Sequence, residues 1–373
     1  MERAVTRLRA ALGVRSAGPR GTWPSAAPGA DMLLAEFGAR YGSAASGVWH
    51  APGRAALLGE HTAAVGGAAL YTALPWGVTA AVDTSPDGRV RVATPRGPLR
   101  PRDPSFRAVT AATDSARRTG LLGSGQGLRV LLDGDLPRHA SLGYASAVAG
   151  AVSLALADLT GGPPPEGATA DERVVLTARP GHAVRVRPDT LRTVILPFDL
   201  AGEGLCLLVV DTGALPHRDP RPAHTAALRR AQEALGPLRS VRDPRAALRE
   251  LREPALRDHA GCALTEVHRL NAAVGLLRSG RAGETGPVLE SSHLSLRGCG
   301  LTTAEVELAA ETASRSGARG VRVSGWAGTL VALAAEERVE PITAALTRAF
   351  TDRGRVPPRV RSALPSAGAH RLR

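Results

Sequence analysis

The sequence predicts an α+β protein built as two closely joined lobes. Runs with strand character come in pairs between helical stretches, where a doubly wound sheet would alternate them singly. A chain of 373 residues exceeds what one small core can organise. The cluster Gly161-Gly162-Pro163-Pro164-Pro165, with Gly167, breaks the pattern near the middle. These features set an N-terminal lobe over 31–180 and a C-terminal lobe over 181–371, behind a basic extension over 1–30.

The elements follow in order. Residues 1–30 carry Arg3, Arg7, Arg9, Arg15 and Arg20 among Gly, Pro and Ser, a composition that buries little and predicts disorder. Asp31 is placed to cap a helix over 31–41. Strands are expected over 47–50, 55–58, 68–75, 77–83 and 89–93, the last two separated by the turn Ser85-Pro86-Asp87-Gly88. A helix over 105–118, a strand over 127–132 and an Ala-rich helix over 146–159 complete the first half. The second half reads as strands over 182–186, 193–197 and 205–211, then helices over 225–234, 254–278, 285–295 and 303–316. Strands over 320–324 and 329–334, a helix over 341–351 and a short run over 360–364 finish the chain.

Composition excludes several classes. The net charge of +13 comes entirely from arginine, since the chain has no lysine. The arginines are scattered, with no aromatic-interleaved stripe, so they read as solvated surface and not as a nucleic-acid face. Cys206, Cys262 and Cys299 lie far apart without metal-ligand spacing, which points to a reducing cytoplasm and to no metal cluster. No 18-residue apolar run exists to span a membrane.

Residues 50–79 concentrate the chemistry. A strand-like run ends at Gly59 and delivers Glu60, His61 and Thr62 together before Gly66-Gly67 turns the chain. Polar side chains presented at a strand end between glycine turns suit a ligand pocket. On the residues alone, Glu60 and Arg54 could equally form a buried pair bracing this first loop.

Pro52, Gly53, Arg54, Gly59, Glu60, His61, Thr62, Gly66 and Gly67 stand in the order of the N-terminal galactokinase signature. The chain resembles the galactokinases, members of the GHMP kinase superfamily. The likeness extends over 31–371. It includes the strand ending at Asp211-Thr212, the segment Glu290, Ser292, His293, Ser295, Leu296 and Arg297, and the closing Pro365, Ser366, Gly368 and Ala369.

The resemblance implies a two-lobed GHMP-kinase fold and transfer of phosphate from ATP, with Mg²⁺, to the anomeric hydroxyl of galactose by a monomer. It places Arg54 at the transferred phosphoryl group and Glu60 and His61 at the sugar's outer hydroxyls. The nucleotide would meet Gly134, Pro137, Ser141, Gly143 and Ser146 in the phosphate loop, and Ser324, Gly325 and Gly328 in the third motif. Departures accompany the likeness. Ala63 replaces an aspartate, and His139 and Ser141 replace loop glycines. Gly143, Tyr144 and Ala145 replace loop serines, Thr225 replaces a tyrosine under the sugar, and Trp326 interrupts a shortened glycine run. The Met-Asp-Gln segment that carries the catalytic aspartate is absent; Asp171 is the nearest upstream aspartate, and its neighbours do not identify it. The expectation is a galactokinase relative with weak or absent activity. The alternative is a non-catalytic sugar- or partner-binding pseudokinase.

Overall fold

The computed structural model describes residues 29–373, so the expected extension over 1–30 lies, except for its last two residues, outside the described residues. Helix α1 (Ala30–Tyr41) leads into the hairpin of β1 (Gly47–Leu58) and β2 (Ala69–Ser85), joined by a 3₁₀ turn over Glu60–Val65. β3 (Val90–Thr94), β4 (Gly97–Pro98), α2 (Pro104–Arg118), β5 (Gly127–Gly134) and α3 (Tyr144–Thr160) follow. Next come α4 (Ala170–Thr177), β6 (His182–Val186), β7 (Thr193–Pro197) and β8 (Leu205–Asp211). Helices α5 (Arg221–Leu235), α6 (Pro244–Glu250), α7 (Pro254–Arg278), α8 (Gly286–Gly298) and α9 (Ala304–Arg315) precede β9 (Gly320–Val323) and β10 (Thr329–Ala335). The chain closes with α10 (Val339–Thr351), β11 (Arg359–Ala363) and β12 (His370–Arg371).

An eight-stranded sheet runs β12-β1-β2-β5-β3-β4, with β6 paired to β2 and β7 to β6; a four-stranded sheet runs β11-β8-β10-β9. Among the described residues only β3 and β5 pair in parallel. The larger sheet is covered on both faces. Trp49, Ala80, Val82, Val130 and Leu132 pack toward α2 and α3, while Val48, Ala81 and Leu131 pack against Leu33 and Phe37 of α1. Two buried faces explain why these strands read as continuous apolar runs without alternation. The expected strands over 68–75 and 77–83 are one 17-residue strand. Pro75, which cannot donate to a ladder, sits where the β1–β2 register shifts between Pro52 and Arg54.

Other expectations need correction. Gly29 precedes α1, and Asp31 falls inside its first turn with no capping hydrogen bond; there it still faces the positive helix end. Helix α5 starts at Arg221, four residues early, because Pro222 is tolerated in a first turn. Helices α4 and α6 and the Glu60–Val65 turn were not expected. Asp243 caps α6 by accepting from the Ala246 amide at 3.0 Å.

One fully buried side chain ties the sheets together. Arg322 on β9 donates to both Glu60 oxygens at 2.7 and 2.8 Å, to Ser292 at 2.8 Å, to Glu266 at 3.1 Å and to the Val323 carbonyl at 2.8 Å. These bonds use all five guanidinium donors. Glu266 of α7 also accepts from the Gly59 amide at 2.9 Å, so the network reaches the end of β1. Burial alone would raise the Glu60 carboxyl, but the Arg322 guanidinium beside it holds it well below the usual carboxylate range. A depressed carboxylate stabilises the fold above its unfolded pKa, and that stabilisation is lost as pH falls below about 4.5. Arg322→Met should therefore cost about 3–5 kcal/mol at pH 7, because it leaves the buried Glu60 carboxylate without its guanidinium partner. The deficit relative to wild type should shrink at pH 4, where Glu60 of the variant is protonated. Chemical denaturation at the two pH values measures this; an equal deficit at both would refute the assignment.

Candidate functional site

A cleft of about 660 Å³ opens over the β1–β2 hairpin. Arg54 projects into it from β1, and its Nη2 meets Asp171 Oδ2 at 2.5 Å. Local sequence explains how Asp171 arrives there. Thr169 accepts from the Glu172 amide at 3.2 Å, and the Ala168 amide donates to Glu172 Oε2 at 2.8 Å. These two caps start α4 with Asp171 in its first turn. The motif Thr-x-x-Glu ahead of Val174-Val175 was the legible signal for this helix, which sequence reasoning missed. Arg54 also lies 4.9 Å from the Tyr71 ring centroid. Burial would lower the Arg54 pKa, but the Asp171 carboxylate more than offsets it, so the guanidinium stays charged. Burial pushes the Tyr71 phenol up, and Asp171 adds to that, so Tyr71 remains a neutral hydroxyl.

The loop 134–143 is clamped to this pair. Arg54 donates its amide to the Leu142 carbonyl at 2.8 Å and its Nη1 to the Ser141 carbonyl at 3.3 Å. Thr329 of β10 donates to the Ala140 carbonyl at 2.6 Å. Ser141 occupies the left-handed region at φ +55°, a strained conformation for any residue but glycine. Gly143 precedes α3 at φ +76°, and a Cβ there would lie 2.7 Å from Arg54 Cγ. Ser141 and Gly143 face the cleft. Gly134 and Pro137 instead line a second cavity of about 770 Å³ with Arg138, His139 and Tyr144, so the loop divides the two spaces. Tyr144 lies under Arg138, 5.0 Å from its guanidinium carbon, and Ser146 borders neither cavity.

The third motif also lines the cleft. Ser324 is fully buried, its hydroxyl accepting from the Ala56 amide at 2.9 Å. Gly325 borders the cleft and donates its amide to Glu60 Oε1 at 3.0 Å. Gly328 does not border it; its carbonyl accepts from the amide and hydroxyl of Thr212. Trp326 lines the cleft, with its ring 4.3 Å from that of His61 and 5.6 Å from that of His224.

Arg54 and Glu60 do not pair with each other: Arg54 takes Asp171, and Glu60 takes Arg322 across a separation of 262 residues. Glu60 still borders the cleft. His61 does not, being 2% exposed under Trp326, with its Nδ1 3.3 Å from Glu60 Oε1. Its carbonyl accepts from His224 Nε2 at 3.1 Å. Burial, then the neighbouring His259 and His61, lower His224 to about 4, so it is neutral near pH 7. Thr225 is half-buried and away from the cleft.

The carboxylates bordering the cleft each face an arginine: Glu60 meets Arg322, Asp171 meets Arg54, and Asp219 meets Arg221. The first turn of α3 presents Tyr144 and Ala145 where hydroxyl ligands were expected. Magnesium requires hard oxygen donors in octahedral array, and this neutralised set does not fit a protein-built site for it. Among the described residues no group of His, Cys, Asp and Glu is placed to hold a metal.

Residues 35–84 match the family model described as the galactokinase galactose-binding signature. A galactokinase of Streptomyces coelicolor is 32% identical over 374 residues, spanning 89% of this chain and 96% of that protein. The crystal structure of Lactococcus lactis galactokinase complexed with galactose superposes with a TM-score of 0.82 at 20% identity, covering 92% of this chain and 99% of the other. Methanococcus jannaschii mevalonate kinase aligns at 0.60 and 11% identity, covering 86% and 98% of the two chains. The α+β architecture is thus the GHMP-kinase fold, and this chain belongs to the galactokinase family.

Proposed function

We propose that the cleft transfers the γ-phosphoryl group of ATP to the anomeric hydroxyl of a galactose-type sugar, at a rate held low by its phosphate loop. The observation that carries this reading is the Arg54–Asp171 pair on the cleft floor. In the proposed step the acceptor hydroxyl gives its proton to Asp171 as its oxygen attacks the γ-phosphorus. The bond from that phosphorus to the β-phosphate oxygen breaks, and ADP leaves. Arg54 orients Asp171 and offers a fixed charge where negative charge spreads in the transition state. The donor's base and ribose fit the second cavity, with the phosphates crossing the loop to the free amides at the start of α3.

The loop supports a low rate. Its glycine nest is interrupted by a strained Ser141, and hydroxyls are missing at 143–145. Removing one preorganised donor typically costs about 10²–10³ in rate. The same changes favour the second reading, a sugar- or partner-binding protein without catalysis. The free thiols Cys206, Cys262 and Cys299 support a reducing cytoplasm as the setting.

A coupled ATP/galactose assay on the full chain tests the proposal, with turnover expected below about 1 s⁻¹, the low end of ordinary enzymes. Asp171→Asn should lower kcat by about 10²–10⁴ while leaving galactose affinity within about threefold, under 1 kcal/mol. Galactose binding without any turnover would favour the non-catalytic reading, and undiminished turnover in Asp171→Asn would remove Asp171 as the base.

A further inference from the structure

The cleft lining is mixed. Arg54, Asp171 and the Tyr71 hydroxyl are polar, as are Glu60, Asp219 and Arg221, whose charges are paired with arginine or carboxylate. Ala63, Leu215, Ala327 and Trp326 also line it, and the first three offer no side-chain hydrogen-bonding group. Trp326 differs from the other described tryptophans. Trp49 and Trp76 are 0% and 1% exposed core residues, whereas Trp326 is half-buried at the cleft surface.

Its ring is also held in place. The His61 and His224 rings support it from behind at 4.3 and 5.6 Å, and the neutral state of His224 avoids burying a charge there. The loop carrying it is fixed at both ends, by Gly325 donating to Glu60 and by the Gly328 carbonyl accepting from Thr212. A rigid aromatic face on a ligand cleft costs little conformational entropy when a ligand covers it.

From this geometry we infer that Trp326 is the specificity-determining platform on which the acceptor sugar lies. The inference rests on the reading of the cleft as a sugar site. The face of an indole is electron-rich, and it attracts the slightly positive C–H bonds of a pyranose ring. Hydroxyls turned to the indole face would lose water without gaining a partner. The acceptor therefore presents a C–H face to Trp326 and its hydroxyls to Arg54 and Asp171.

That requirement selects by stereochemistry. In the galacto configuration the C3, C4 and C5 hydrogens form one continuous apolar patch. In the gluco configuration the C4 hydrogen points to the opposite face of the ring, and the patch is broken. With alanine at 63 supplying no hydrogen bond, the aromatic wall reads the C4 configuration.

Calorimetric titration of the full chain with galactose and with glucose, without nucleotide, tests this in wild type, Trp326→Phe and Trp326→Ala. Trp326→Ala should weaken galactose binding by about tenfold or more, matching the worth of an aromatic face, and should change glucose binding far less, so that the preference collapses. Trp326→Phe should keep galactose affinity within about threefold, under 1 kcal/mol, and should lose the galactose-induced shift in tryptophan emission seen in wild type. A merely structural role would not give this rescue or spectral change. Unchanged galactose affinity in Trp326→Ala, or equal losses for both sugars, would overturn the inference while leaving the sugar site standing. A wild-type protein that binds neither sugar would overturn the site and the inference together.

Discussion

The geometry of the cleft depends on one buried guanidinium. Arg322 joins the end of β1 through Glu60 to α7 through Glu266 and to α8 through Ser292, and no donor is left unmatched. Because Glu60 also accepts from the Gly325 amide, the same carboxylate fixes the start of the loop that bears Trp326. A buried ion pair is seldom a large net source of stability, but its directional bonds specify one arrangement of the parts it joins. Here those parts are the signature strand and the third-motif hairpin.

On that frame the site divides into a preserved half and an altered half. Arg54 and Asp171 meet in close contact, although 117 residues separate them, and Arg54 also holds the phosphate loop through Leu142 and Ser141. The loop holds Ser141 in a strained conformation and Tyr144 beneath Arg138. On the proposed reading, acceptor activation is better provided for than donor binding. Such a balance suits slow phosphoryl transfer, because positioning of the phosphates supplies much of the catalysis in this chemistry.

Much of this was legible in the sequence, and the remainder was hidden for identifiable reasons. The signature from Pro52 to Gly67 and the α+β class followed from local pattern, and the resemblance to the galactokinases pointed to strain at Ser141. The neighbours of Asp171 do not identify it in sequence, because its place beside Arg54 depends on the helix α4 that Thr169 caps. The partners of Arg54 and Glu60 could not be read locally, since they come from across the fold and Arg322 is an arginine among many in an arginine-rich chain. His61 looked like a ligand of the sugar. Only the packing shows that the shortened third motif lays Trp326 over it.

The account turns on a sugar held between the Arg54–Asp171 floor and the Trp326 wall. A crystal structure of the full chain with galactose tests this most directly. The account predicts the anomeric oxygen within hydrogen-bond reach of the Asp171 carboxylate, about 2.6–3.2 Å, with the C3–C5 hydrogens against the indole. Galactose bound elsewhere, or seated in the cleft with its anomeric oxygen turned away from Asp171, would contradict it.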